Sequence, residues 1–164
     1  MSHLMNLVHR LHEIFLKAAS GLESPFLLLI RVYWGWQFAQ TGWGKLHNLP
    51  HVIDFFTSLG LPAPGPTAVF VSLFELVGGI LLALGLLSRI TALGIVIDMT
   101  VAYITADREA LASVFSADPS KFTAADPFIF WAVGWVVLIF GPGKFALDTW
   151  LGRKRRSLPQ AAAF

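Results

Sequence analysis

Residues 72–89, SLFELVGGILLALGLLSR, set one glutamate, Glu75, inside an apolar run that extends from about Pro66 to Leu87. A soluble helix would turn such a carboxyl to water. A membrane helix has no water to offer at its centre, where an ionised side chain costs about 2.5–3.5 kcal/mol on insertion scales and is expected to face a protein interior. Composition decides between the two settings. The chain has 164 residues, of which 55% are hydrophobic and 13% charged. Soluble domains carry about 25% charged residues, so roughly half the usual solubilising charge is missing. Mean hydropathy is +0.66. There is no cysteine, which removes disulfides, thiol chemistry and cysteine-held zinc or iron–sulfur clusters.

Working outward, three further segments are apolar enough to cross a bilayer, whose core needs about 20 helical residues. They are about Pro25–Gly44 (PFLLLIRVYWGWQFAQTGWG), Ile90–Ala106 and the shorter Pro127–Gly141, which is expected to continue through PGKFAL or to sit in a thinned region. Pro25, Pro66 and Pro127 stand near helix starts, where a missing N–H costs little. The expected fold is all-α, an integral membrane antiparallel four-helix bundle. Three parts are expected: an amphipathic segment 1–24, a four-helix transmembrane domain 25–152 and a basic tail 153–164.

In the first part, Leu4, Leu7, Val8, Leu11, Ile14, Phe15 and Ala18 recur at helical spacing, which suggests an amphipathic helix lying on the membrane surface. It lacks the continuous apolar region of a signal peptide. Placing Arg10, Lys17, Arg89, Lys144 and Arg153–Arg156 on one side leaves only Lys45, Arg108 and Lys121 opposite. Positive charge accumulates in the cytoplasm, so both termini are expected there. The tail GRKRRSLPQAAAF reads as an anchor at anionic lipid rather than a nucleic-acid site. On the other side, KLHNLPHVIDFFTSLGLPAPGP carries the apolar residues Val52, Ile53, Phe55 and Phe56 and is expected to form a short helix over the bundle mouth, ended by Gly60.

At a rise of 1.5 Å per residue, Glu75 lies about 18 Å from the cytoplasmic edge, Asp98 about 14 Å and Arg31 about 9 Å, with Gln37 near the depth of Glu75. Lys45 closes the same stripe as Arg31, which runs through Trp34, Phe38 and Gly42. Glu75 shares its face with Gly79 and Ala83, and Asp98 shares its face with Gly94 and Ala102. Small residues allow close helix approach, so Gly42, Gly78, Gly79 and Gly94 are expected packing positions. Arg31, Gln37, Lys45, Glu75 and Asp98 thus form a candidate intramembrane polar cluster, with Trp34, Phe38 and Trp43 as candidate aromatic walls. The cluster has two readings, a clasp that fixes helix register or a chamber that binds or protonates something. No catalytic residue is assigned. His47 and His51 have a metal-like spacing, but Pro50 interrupts it, and all five histidines lie outside the spans. No metal, haem or flavin signature is present.

Arg31, TGWGKL, FFTSLGLPAP, FELVGGILLALGLLSRITAL and the closing GPGKFALD together resemble the DoxX family of small bacterial membrane proteins, over about residues 26–150. The resemblance implies a multi-pass protein of the bacterial plasma membrane. It also implies a membrane component of an oxidoreductase system, including the thiosulfate:quinone type. A quinone would then be the lipophilic ligand, and the bilayer, a redox protein or a second copy the partners. Scaffold or assembly factor and small proton-linked transporter are the alternatives.

Overall fold

The structure is a computed structural model and describes residues 2–116 and 118–156. Among them there are helices and no strand. The order is α1 (Ser2–His47), α2 (Leu49–Ser58), α3 (Pro64–Leu84), α4 (Ser88–Thr105), α5 (Arg108–Ala112), a 3-10 turn (Ser113–Phe115), α6 (Ser120–Ala124), α7 (Pro127–Phe140) and α8 (Leu147–Arg156). Two helices, α3 and α4, are long and apolar enough to cross a membrane, and α7 is a shorter apolar helix. Of the expected basic tail, residues 157–164 and the side chains of 153–156 lie outside the described residues, as do the side chains of Leu4, Leu7 and Val8.

The N-terminal segment and the first expected span are one helix. Pro25 falls within α1 instead of starting a new element. A proline inside a helix removes one backbone bond and crowds the carbonyl four residues earlier. That residue is Gly21, which has nothing packed around it, so the turn is free to adjust. Every described side chain before Ser24 is exposed, and packing begins at Ser24 and Leu27.

From there α1 lies against α3, α4 against α7, and α3 beside α4. Glycine sets the α1–α3 spacing. A Cβ at Gly35 would come within 2.7 Å of the Gly79 carbonyl oxygen, one at Gly42 would meet Leu76 N and Ser72 O, and one at Gly79 would meet Ala39 N. On the neighbouring seam a Cβ at Gly94 would lie 2.6 Å from the Phe74 ring. Gly78 differs, because its Cβ would make only ordinary contacts at 3.7 Å. Phe38, Leu82, Ile95, Met99 and Val137 form the apolar centre.

The surface is apolar as well. Phe70 is 69% and Ile90 71% exposed, and Val77, Leu84, Leu93, Ile97 and Ile139 also face outward. The buried side chains, in contrast, include Arg31, Ser72, Glu75, Ser88 and Thr91. Apolar outside and polar inside is the distribution a lipid solvent selects.

α7 ends at Phe140 and does not run on through PGKFAL, because Gly141 and Gly143 adopt left-handed φ of 79° and 77° around Pro142. The chain returns instead along α1, where Lys144 N–H donates to Ser24 Oγ at 3.3 Å. At the other end α2 forms over the long helices, and Gly60 (φ 71°) follows it. Tyr103 stacks on Phe122 at 4.7 Å and donates to its carbonyl at 2.7 Å, tying the α5–α6 loop to α4.

Two adjacent glycines should therefore respond differently. Gly79→Ala is expected to lower the melting temperature in detergent by several degrees through backbone overlap with α1, a loss of about 1–3 kcal/mol. Gly78→Ala should change stability by no more than about 0.5 kcal/mol. Equal effects at both positions would remove the glycine-set spacing.

Candidate functional site

The five polar residues expected to cluster separate into two places and a bystander. Lys45, on the last turn of α1, is ion-paired through Nζ to Glu75 Oε1 on α3. Glu75 is 2% exposed. Its register is fixed from both sides, since the backbone at Glu75 and Leu76 receives Gly42 of α1 in close contact. Asp98 on α4 lines the same cavity as this pair. Gln37 takes no part, and its amide donates along α1 to Tyr33 Oη at 3.4 Å.

The cavity has a volume of about 580 Å³, within the range of about 300–1,000 Å³ usual for small-molecule sites. Lys45, Glu75 and Asp98 supply its polar floor, and Phe38, Phe56 and Phe130 supply aromatic wall. Glu75 Oε2 and Asp98 Oδ2 are buried and have no hydrogen-bond partner among the described residues. Of the expected aromatic walls only Phe38 lines the cavity. Trp34 packs edge-on to Phe130 at 5.9 Å, behind the wall, and Trp43 is exposed with its ring 4.2 Å from His47.

Sequence reasoning did not single out Asp107, Asp126, Met99 or Phe130, all of which line this cavity. Asp107 follows α4 and Asp126 precedes α7, so the antiparallel order places both at the end where Lys45 lies. That topology was the available signal. His51, on α2, also lines the cavity, whereas His47 ends α1.

Arg31 sits elsewhere. It is wholly buried, with Nη2 donating to the Phe145 carbonyl at 3.1 Å. Its guanidinium fills the place a side chain at Gly85 would need. Gly85 has φ 69° and closes α3 with a Schellman-type turn, Leu86 N–H donating to Leu81 O at 2.9 Å. Leu87 follows at φ 50°, a left-handed conformation that costs a branched side chain about 1–2 kcal/mol. Asp148 of α8 offsets this, because its carboxylate accepts from Leu87 N–H at 2.8 Å and Ser88 N–H at 2.7 Å, capping α4 from outside. Burial works to raise the Asp148 carboxyl, but Ser88, the Leu87 N–H and the Arg31 charge outweigh it and hold it below the usual carboxylate range.

The DoxX family model matches residues 26–108. A protein of Bacillus subtilis (strain 168) named "Putative oxidoreductase CatD" is 33% identical, the alignment covering 63% of this chain and 86% of the relative. No solved structure matches. The chain belongs to the DoxX family.

Removing the cation from a buried pair strands its partner, at about 3–5 kcal/mol when both ions are buried. Lys45 is 34% exposed, so Lys45→Met should cost somewhat less, about 2–3 kcal/mol. Adding Glu75→Gln to that variant should restore most of the loss. Additive single effects in this double-mutant cycle would show that the two side chains do not couple. At the other end, a carboxyl lowered by folding adds stability above its ordinary pKa and loses it as pH falls through the folded value. The gap in melting temperature between the protein and Asp148→Asn should thus be steady at neutral pH and close below about pH 4. A gap that widens in acid would reverse this assignment.

Proposed function

We propose that this DoxX-family protein is a multi-pass, four-helix protein of the bacterial plasma membrane that holds a quinone-type lipophilic molecule as the membrane subunit of an oxidoreductase system. The observation that carries this reading is the cavity itself. It joins aromatic walls to two buried carboxyl oxygens, on Glu75 and Asp98, that no donor among the described residues occupies. Quinone chemistry couples electrons to protons, and a buried carboxyl beside the ring is placed to hold or pass one. In this reading a partner protein supplies the electrons, since the sequence carries no cysteine and no dinucleotide fingerprint. The relative named as an oxidoreductase supports the same direction.

The apolar outer surface of α3, α4 and α7 supports insertion, and the clustering of basic residues supports a topology with both termini in the cytoplasm. In that orientation the Arg31–Asp148 end faces the cytoplasm, and α2 covers the outward mouth. The exposed N-terminal part of α1 is the expected surface for the lipid interface or for a partner.

The test is photolabelling in native membranes with an azido-quinone, followed by peptide mapping. Label is expected on Phe38, Phe56, Met99 or Phe130, and Ala102→Trp, which fills the cavity, should reduce it by about tenfold, or about 1.4 kcal/mol of binding. Label confined to the outward apolar surface would overturn the proposal. The Lys45–Glu75 pair would then be the register clasp of a scaffold.

A further inference from the structure

The hydrogen-bond inventory of the cavity is one-sided. Three threonine hydroxyls line it, and each donates to a backbone carbonyl: Thr41 to Phe38 O at 2.7 Å, Thr67 to Pro62 O at 2.8 Å and Thr105 to Val101 O at 2.8 Å. The Lys45 ammonium is drawn onto Glu75 Oε1. The threonine donors are thereby committed, and of the three N–H donors of Lys45 one goes to the pair. Buried acceptors remain, Glu75 Oε2 and Asp98 Oδ2, with no partner among the described residues. Asp107 and Asp126 add two more carboxylates to the lining. Against these four acids the lining holds one lysine and His51.

An occupant that satisfies Glu75 Oε2 and Asp98 Oδ2 must bring donors to them, because a buried acceptor left unpaired loses its hydration without compensation. An oxidised quinone brings two carbonyl acceptors and would face oxygen with oxygen. Its hydroquinone brings two hydroxyl donors. We infer that the cavity discriminates between the redox forms of its ligand and binds the dihydroxy form in preference to the dicarbonyl form. The preference rests on the quinone-type reading above and deepens it, assigning Glu75 and Asp98 as the acceptors that read the ligand's hydroxyls.

The test uses the full chain in lipid nanodiscs under anaerobic conditions, with empty nanodiscs as the partition baseline. The probes are 2-methyl-1,4-naphthohydroquinone, the corresponding naphthoquinone and the dimethyl ether of the hydroquinone, which keeps the ring and removes both donors. The hydroquinone is expected to bind at least about tenfold tighter than the other two. Glu75→Gln and Asp98→Asn, each checked to keep a cooperative melting transition above the assay temperature, should each narrow that ratio to within about threefold. Equal or tighter binding of the quinone overturns the preference and leaves the quinone-type site standing. A preference that survives in both variants overturns the assignment to these two acids. Binding of none of the probes above baseline overturns both the preference and the reading beneath it.

Discussion

A carboxylate at 2% exposure between apolar helices can persist only if a cation reaches it, and in this chain that cation is Lys45. The requirement propagates through the packing. Lys45 reaches Glu75 because α1 lies almost backbone to backbone on α3, and α1 can do so because Gly35, Gly42 and Gly79 have no side chain to interpose. Glycine sets the spacing, the spacing sets the reach, and the reach makes the buried charge tolerable. A larger residue at any of the three positions would act on the electrostatics as well as on the packing.

Along α1 the order is Arg31, Phe38, Lys45, and along α3 in the opposite direction it is Gly85, Leu82, Glu75. The apolar centre around Phe38 and Leu82 therefore separates two polar ends of different character. At one end Arg31 Nη2 and Asp148 bind backbone, the Phe145 carbonyl and the first N–H groups of α4, while Arg31 Nε and Nη1 are buried with no hydrogen-bond partner among the described residues. That end holds the return segment and α8 against the long helices. At the other end two carboxyl oxygens are left over and border open volume.

Much of this was legible in the sequence. The helical composition, the inward face of Glu75 beside Gly79 and the helix over the mouth follow from periodicity and small-residue spacing. The partners of the charges did not. Depth and helical face put Arg31, Gln37, Lys45, Glu75 and Asp98 in one candidate cluster without saying which cation meets Glu75, and the lysine stem, spanning several ångströms, is what brings the Lys45 charge to it. Gln37 shared a depth with Glu75 but stands about 100° around the helix from Phe38, which lines the cavity. Arg31 donates to the Phe145 carbonyl, more than a hundred residues away, and no local pattern encodes that contact. The continuous α1 was hidden as well, because Pro25, read as a helix start, falls inside a helix whose turn at Gly21 has room to adjust.

The second acid is what separates a clasp from a site. A clasp between α1 and α3 is complete with Lys45 and Glu75, one charge against one charge. Asp98 adds nothing to that register. It comes from α4, borders the same cavity and leaves an oxygen buried without a donor. An unpaired buried acceptor costs about 1–3 kcal/mol, more if charged, and an asparagine or alanine there would be cheaper if helix packing were all the position had to serve. The same holds for the volume, since a clasp is strongest when the helices close over it, whereas here phenylalanines hold the space open. Cost without structural return, from a charge and from a void at the same place, is what a ligand site looks like when the protein alone is considered. On the reading proposed above, the two oxygens without donors match a ring that brings its own hydroxyls.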